Sequence, residues 1–265
     1  MICYVNGLYT DDPKISGFDL GVLRGLGIFD YFITYNRKPF HFSDHFFRLK
    51  KNAEKVRVKI PHSENEVRAI VDELIQKNPD GELAFRIVLT AGDGKTPHFM
   101  ILVTDIDRPD PIFYETGVKL QTQIIPRTYP DIKSLFYMPA MLALQDAKAA
   151  GFFDVLGISE KGDVLEATTA NFFAFLDGKL VTAASDVLPG VTGKIVRQLM
   201  PVSERTLKVK DIPLFEEAFI SSTNKEILPV VQIDEQVIGN GRPGAKTLQL
   251  LHEYQKSIRP LIVTP

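Results

Sequence analysis

The stretch DIKSLFYMPAMLALQDAKAAG, residues 131–151, decides how this chain is read. From Pro139 to Ala150 it predicts a helix. Proline stands in the first turn, where its missing N–H is no loss, and Gly151 lies just past the end. Immediately upstream, Lys133 sits among Ile132, Leu135, Phe136 and Tyr137. A surface lysine needs no such company. A lysine whose amine must be neutral does, because burial disfavours the ammonium form and lowers its pKa. Taken alone, the pattern also suits a lysine snorkelling from a helix start.

The whole chain narrows the choice. Its 265 residues can bury the core of one large domain or two medium ones. Hydrophobic residues at 45% and charged residues at 24% are ordinary for a soluble globular protein. A net charge of −2 gives no long-range pull toward nucleic acid or an anionic membrane, so neither is an expected partner. Cys3 is the sole cysteine, which excludes an intrachain disulfide and fits a reducing compartment. The opening MICYVNGLYTDD lacks the basic start and long apolar core of a signal peptide. No run approaches the ~18 uninterrupted apolar residues of a membrane span. A cytoplasmic protein is the expectation.

Period-two patterns in ICYV and FDYFITY read as strands, as do AFRIVLTA and FMILVTD. Helices are expected over Phe46 to Val56 and Glu64 to Lys77. Downstream, VLGIS, VLEA, FFAFL and KLVTA are short strands, and Asp177-Gly178 within LDGKL is a hairpin signal. Strands and helices in clusters, without regular alternation, point to an α+β fold. The segment DIDRPDPIFYETG, residues 105–117, carries two prolines that favour extended backbone before them and marks the boundary. The expected organisation is an N-terminal α+β domain over 1–110, a linker over 111–119 and a C-terminal α+β domain over 120–265 that carries Lys133.

Several catalytic signals fail on context. AGDGKT, residues 91–96, resembles the end of a phosphate-binding P-loop, but Leu89 stands where its first glycine belongs and a strand pattern follows. RGLGIFD holds two glycines of a dinucleotide fingerprint and also leads into a strand pattern. His41 and His45 are spaced to seat zinc on a helix, yet no glutamate follows the first and no third ligand is evident, so no metal site is assigned.

One constellation survives. Glu166, in DVLEATTANFF, ends a strand before a turn of small residues. LPGVTGKIVRQLM turns at Pro189-Gly190 and enters a helix whose first amides, near Val191 to Gly193, would point at an anion, with Thr192 adding a hydroxyl. ISSTNKEILPV brings Ser221, Ser222 and Thr223 together. Each part has a plainer reading: an N-cap for Thr192, a polar loop for the hydroxyls, a surface carboxylate for Glu166. Together, a lysine amine, an acid and a phosphate cradle are what pyridoxal phosphate needs.

The ordered motifs resemble the class IV aminotransferases, the fold-type IV pyridoxal phosphate enzymes. That group includes branched-chain and D-amino-acid aminotransferases and aminodeoxychorismate lyase. VNGLYT and GLGIFDYFITYNRKPFHFSDHFFRL are similar to the family's opening strand, its G-D-G-V-F-E stretch and its H-x-x-R-L helix. IKSLFY with LALQDAKAAG resembles the catalytic-lysine segment. VLEATTANFFAFLDGKLVT resembles V-T-E-G-x-x-x-N-x-F and its hairpin, and LPGVTGKIV resembles L-x-G-I-T-R. EEAFISSTNKEILPVVQID and GNGRPGAKTLQLL resemble the remaining two motifs. The resemblance spans nearly the whole length and implies a two-domain fold.

Carried over residue by residue, the resemblance makes Lys133 the Schiff-base lysine and proton shuttle, and Glu166 the partner of the pyridine nitrogen. Arg48 would bind the phosphate bidentately, with the amides of Val191 and Thr192 and the Thr223 hydroxyl. Thr223 and Asn224 would also offer amides to the substrate carboxylate, and Arg127 would approach the cofactor's phenolic oxygen. The chain departs from the pattern at Leu26, Asp30, Ala91, Phe136, Ala167 and Gly193, which stands in place of the G-I-T-R arginine. Arg86 is the substitute for carboxylate recognition, against the plainer reading of an outward strand arginine. With Phe29, Tyr31 and Phe136 it points to an apolar or aromatic substrate. The resemblance thus implies amino transfer between an amino acid and a 2-keto acid. Two alternatives stay open: a lyase of the aminodeoxychorismate type releasing pyruvate, and a diverged member that binds cofactor without catalysis. A homodimer is the implied assembly.

Overall fold

The computed structural model describes residues 1–126 and 128–262, the side chains of 259–262 excepted. Arg127 therefore lies outside the described residues. The chain divides into two compact units: Met1–Asp107 together with Ile132–Phe136, and Arg108–Asp131 together with Tyr137–Pro260.

The first unit contains β1 (Cys3–Val5), β2 (Leu8–Thr10), α1 (Leu20–Arg24), β3 (Gly27–Tyr35), β4 (Lys38–Pro39), α2 (Phe42–Val56), α3 (Glu64–Lys77), β5 (Leu83–Thr90) and β6 (His98–Asp105). The strands form an antiparallel sheet in the order β2-β1-β6-β5-β3-β4. Alternation sorts each strand. Ile28 and Phe32 of β3, with Phe85, Ile87 and Leu89 of β5, pack against Phe42, Phe46 and Leu49 of α2 and Val67, Val71 and Leu74 of α3. Phe29, Tyr31 and Arg86 take the other parity. α3 starts on a capping box in which Ser63 and Glu66 exchange hydrogen bonds, a device that contributes about 1 kcal/mol. α2 begins four residues earlier than its periodicity implied. Its first turn follows His41, whose left-handed backbone (φ 50°) makes the turn out of β4.

The second unit contains α4 (Ile112–Thr116), β7 (Val118–Ile124), α5 (Met138–Ala149), β8 (Asp154–Ile158), β9 (Asp163–Ala167), β10 (Asn171–Leu176), β11 (Lys179–Ala183), α6 (Val191–Leu199), β12 (Val202–Arg205), β13 (Leu207–Lys208), β14 (Glu217–Ser222), β15 (Glu226–Ile233), β16 (Gln236–Val237) and α7 (Ala245–Ile262). Its sheet runs β12-β11-β10-β14-β15-β7-β8-β9-β13, with β16 on β15. Pairing is mixed: β7 lies parallel to both β8 and β15, while β10, β14 and β15 are antiparallel neighbours. Asp177 (φ 52°) and Gly178 (φ 72°) make the tight turn of the β10–β11 hairpin, the primed geometry that suits twisted strands.

Two placements differ from the sequence expectation. Residues 111–119, expected as a linker, form α4 and the first residues of β7. Lys133, expected with the C-terminal domain, groups by contact with the first unit. The reason is main-chain pairing: Phe29 N donates to Lys133 O at 2.9 Å and Leu135 N donates to Gly27 O at 2.9 Å. Residues 133–135 thus extend the β3 edge, with Ile28 and Ser134 as the bridged pair, and the helix begins only at Met138.

Candidate active site

In the first unit the site is built on both faces of β3. On the helix-facing side Asp30 is fully buried. Its Oδ1 accepts from Tyr31 N at 2.8 Å, His45 Nδ1 at 2.7 Å and Arg48 Nη2 at 2.8 Å, and its Oδ2 accepts from Arg48 Nε at 2.8 Å. His45 and Arg48 are one helical turn apart on α2, so both reach the same strand position. Burial pushes the Asp30 pKa up. The Arg48 charge and the hydrogen bonds from Arg48 and His45 outweigh it and hold the carboxyl well below the usual range. Burial lowers the His45 pKa, Asp30 opposes that shift, and the charges of Arg48 and Lys133 add to it. The ring is therefore neutral at physiological pH.

On the opposite parity of β3 lies Phe29, buried, with Tyr31 two residues on. Lys133 Nζ stands 4.7 Å from the centre of the Phe29 ring, and the Arg86 guanidinium carbon is also 4.7 Å from that centre. Arg86 lies 5.5 Å from the Tyr31 ring as well, because Tyr31 and Arg86 are direct cross-strand partners on β3 and β5. Lys133 is half-buried, and Phe136 is exposed. The arrangement holds an amine and a guanidinium over one aromatic surface, at a distance where cation and ring attract.

In the second unit, Glu166 is buried near the end of β9. Its Oε2 accepts from Asn171 Nδ2 at 2.7 Å and its Oε1 from Leu188 N at 2.9 Å, while Asn171 Nδ2 also donates to Leu188 O at 2.8 Å. Asn171 thereby ties the acid to the segment that enters α6. Gly190 is the N-cap of α6 and has no side chain with which to cap the first turn, which holds Val191 and Thr192. A Cβ on Gly190 would fall 1.9 Å from Asn171 Oδ1, so a side chain there would expel the asparagine. Thr192 is buried. At the same end of the sheet β14 turns into β15, with Ser222 paired to Glu226 and Thr223, Asn224 and Lys225 at the tip. Ser222 Oγ donates to Asn224 Oδ1 at 3.1 Å. Glu226 takes a left-handed conformation (φ 53°), and its carboxylate is held by Arg108 Nη1 and Gln255 Nε2, both at 3.0 Å.

Several of these residues were missed or undervalued by sequence reasoning. Asp30 registered only as a replaced glutamate. Its signal was a lone charge at a core parity of an apolar strand. Asn171 registered as a motif letter, and its five-residue spacing from Glu166 was the clue. Arg197 had no signal. One turn beyond Gly193, its Nη1 donates to Gly193 O at 2.9 Å and would lie 3.1 Å from a Cβ placed there.

Each unit by itself carries residue types that suit pyridoxal phosphate: in the first a lysine amine, and in the second an acid that accepts from Asn171 and Leu188 N and a helix start at Gly190.

The model of the family described as amino-transferase class IV matches residues 27–233. A chain of Methanocaldococcus jannaschii, named as a candidate branched-chain-amino-acid aminotransferase, is 32% identical over 98% of this chain and 96% of its own length. A D-alanine aminotransferase of Staphylococcus haemolyticus is 28% identical over 96% of this chain and 97% of its own. A branched-chain amino acid aminotransferase from the organism abbreviated T.th., crystallised with pyridoxamine 5'-phosphate, superposes with a TM-score of 0.92 at 22% identity, covering 98% of this chain and 94% of that one. That likeness shows the two-domain α+β architecture of fold type IV. With the family model covering well over half of its length, this chain belongs to the class IV aminotransferases, enzymes that use pyridoxal phosphate.

Proposed function

We propose that the chain moves an amino group between an apolar or aromatic amino acid and a 2-keto acid. Lys133 holds the cofactor and carries the proton. The observation that supports this reading most directly is the placement of Lys133 Nζ, 4.7 Å from the Phe29 ring centre and fixed by main-chain bonds to β3. Pyridoxal phosphate, when bound, supplies an aldehyde for amines to condense with and a ring that takes up the charge left at the α-carbon. The chain's own residues do the rest.

Lys133 Nζ removes the proton from the substrate α-carbon and later returns it. Glu166, oriented by Asn171 and Leu188 N, holds a proton on the ring nitrogen and keeps the ring electron-poor. The amides of Val191 and Thr192, with the Thr223 hydroxyl, grip the phosphate. Arg48 adds its charge there. Asp30 holds its Nε–Nη2 edge, which fixes the guanidinium in place. Arg86 receives a substrate carboxylate, and Phe29 and Tyr31 give the pocket its aromatic wall.

We further propose a cytoplasmic homodimer. Phe18, Val22, Leu23 and Leu26 of the first unit are exposed and are the side chains a second copy would cover. No helix among the described residues is long and apolar enough to cross a membrane.

Steady-state kinetics with an amino acid and a keto acid tests the activity. Parallel double-reciprocal lines, the mark of two sequential half-reactions, support it. Pyruvate release that needs no keto-acid acceptor would move the assignment to the lyase.

A further inference from the structure

We propose that Lys225 binds the α-carboxylate of the substrate, a role that rests on the amino-transfer reading above. Lys225 stands at the tip of the β14–β15 turn, beside Thr223 and Asn224, yet is only 9% exposed. A lysine at a hairpin tip ordinarily extends into water. Here its Nζ instead donates to Thr169 Oγ1 at 2.8 Å. Thr169 belongs to the turn between Glu166 and Asn171, so the ammonium rests on the loop that carries the ring-nitrogen acid.

The hydrogen-bond directions are set by a second acid. Thr169 Oγ1 donates to Asp154 Oδ2 at 3.1 Å, which leaves a lone pair for Lys225. Asp154 is itself buried and also accepts from Val155 N at 2.8 Å and from both the amide and the hydroxyl of Thr168. Glu166 and Asp154 therefore place two buried carboxylates around one short turn. A third carboxylate, arriving on the substrate, would be repelled unless a cation stood in the same place. Lys225 is that cation. Its neighbours in the tip, Thr223 and Asn224, are half-buried.

The backbone of the tip is fixed independently of any ligand. Glu226 closes the turn at φ 53°, a conformation unusual for glutamate. Its carboxylate is anchored to Arg108 and Gln255, and Tyr114 Oη donates to Lys225 O at 3.0 Å. The lysine thus stands on a braced turn. An α-carboxylate is common to every amino acid and keto acid in the reaction, so Lys225 would act on both half-reactions alike.

The test compares the wild-type holoenzyme with Lys225→Met, Lys225→Arg and Thr169→Val, measuring KM and kcat for a monocarboxylic amino acid and for 2-oxoglutarate. A charged hydrogen bond of this kind is worth roughly ten- to a hundredfold in KM. We expect Lys225→Met to raise KM by that factor for both substrates with kcat much less affected. Lys225→Arg should recover part of the loss, and Thr169→Val should cost less than Lys225→Met. Unchanged KM values in Lys225→Met would overturn the proposal. So would a rise confined to 2-oxoglutarate, or an equal loss in Thr169→Val, which would make the lysine a brace. Each variant is read only with its visible cofactor band intact. A wild-type protein without that band would fail the cofactor reading instead, before Lys225 is addressed.

Discussion

Arg86 and Lys133 share one aromatic ring: the guanidinium carbon of the first and the side-chain nitrogen of the second each lie 4.7 Å from the centre of Phe29. Arg86 owes its position to cross-strand pairing with Tyr31, and Lys133 owes its own to the main-chain bonds of residues 133–135 along β3. Arg86→Met should raise KM for a dicarboxylic keto acid about tenfold or more while leaving a monocarboxylic one less affected. A uniform change across both acceptors would show that Arg86 does not read the second carboxylate.

The buried ion hub in the first unit has a definite cost of disruption. Asp30→Asn leaves the Arg48 charge buried without its counter-ion, which should destabilise the fold by roughly 3–5 kcal/mol, read from denaturant midpoints. The pH dependence follows from two signs. The Asp30 pKa is lowered in the folded state, so the stability it contributes is present above the ordinary carboxylate pKa and disappears as pH falls through the folded value. The His45 pKa is also lowered. The unfolded chain therefore binds the extra proton below its own pKa, about 6.5, and stability declines as pH drops from there. Thermal melts should show loss beginning near pH 6.5 and steepening in the acid range. A His45→Gln variant should lack the upper part of that decline.

Gly190→Ala is the sharpest steric test in the second unit. Gly190 has φ −71°, so alanine meets no backbone objection, and any effect comes from the 1.9 Å approach to Asn171 Oδ1. Displacing Asn171 removes its hydrogen bond to Glu166. Displacements of about 1 Å can cost a hundredfold in rate, and we expect kcat to fall by about that factor with weaker cofactor retention on dialysis. Wild-type values for both would mean that Asn171 does not position the acid.

Glu166→Ala should slow proton removal more than it weakens cofactor binding. With an α-deuterated amino acid, the isotope effect on kcat should grow as kcat drops by about a hundredfold. Near-normal turnover in this variant would remove Glu166 from its assigned role.

How much of this was legible beforehand depends on distance along the chain. Asp177-Gly178 announces its hairpin because the turn demands two left-handed residues in succession. The helix after Pro139 and the α3 boundaries follow equally from local signals. The parallel pairing of β7 with β8 and β15 does not, since nothing in Val118–Ile124 names partners in residues 154–158 and 226–233. The same limit explains Lys133. Its apolar neighbours read locally as a helix approach, whereas the segment is held extended by β3, about a hundred residues upstream. Residues 111–119 looked like a linker because of nearby prolines, yet Pro111 caps a short helix. At the site, residue types announced a lysine, an acid and a cradle. The pairings that aim them, Asp30 with Arg48, Asn171 with Glu166 and Thr169 with Lys225, exist only in the folded chain.

The most direct test of the central claim is the visible absorption spectrum of the protein with pyridoxal phosphate, recorded for wild type and Lys133→Ala and then titrated with L- and D-amino acids. The account predicts a band in the wild type that particular amino acids bleach and that Lys133→Ala lacks. A band equally strong in Lys133→Ala, or one that no amino acid changes, would contradict it.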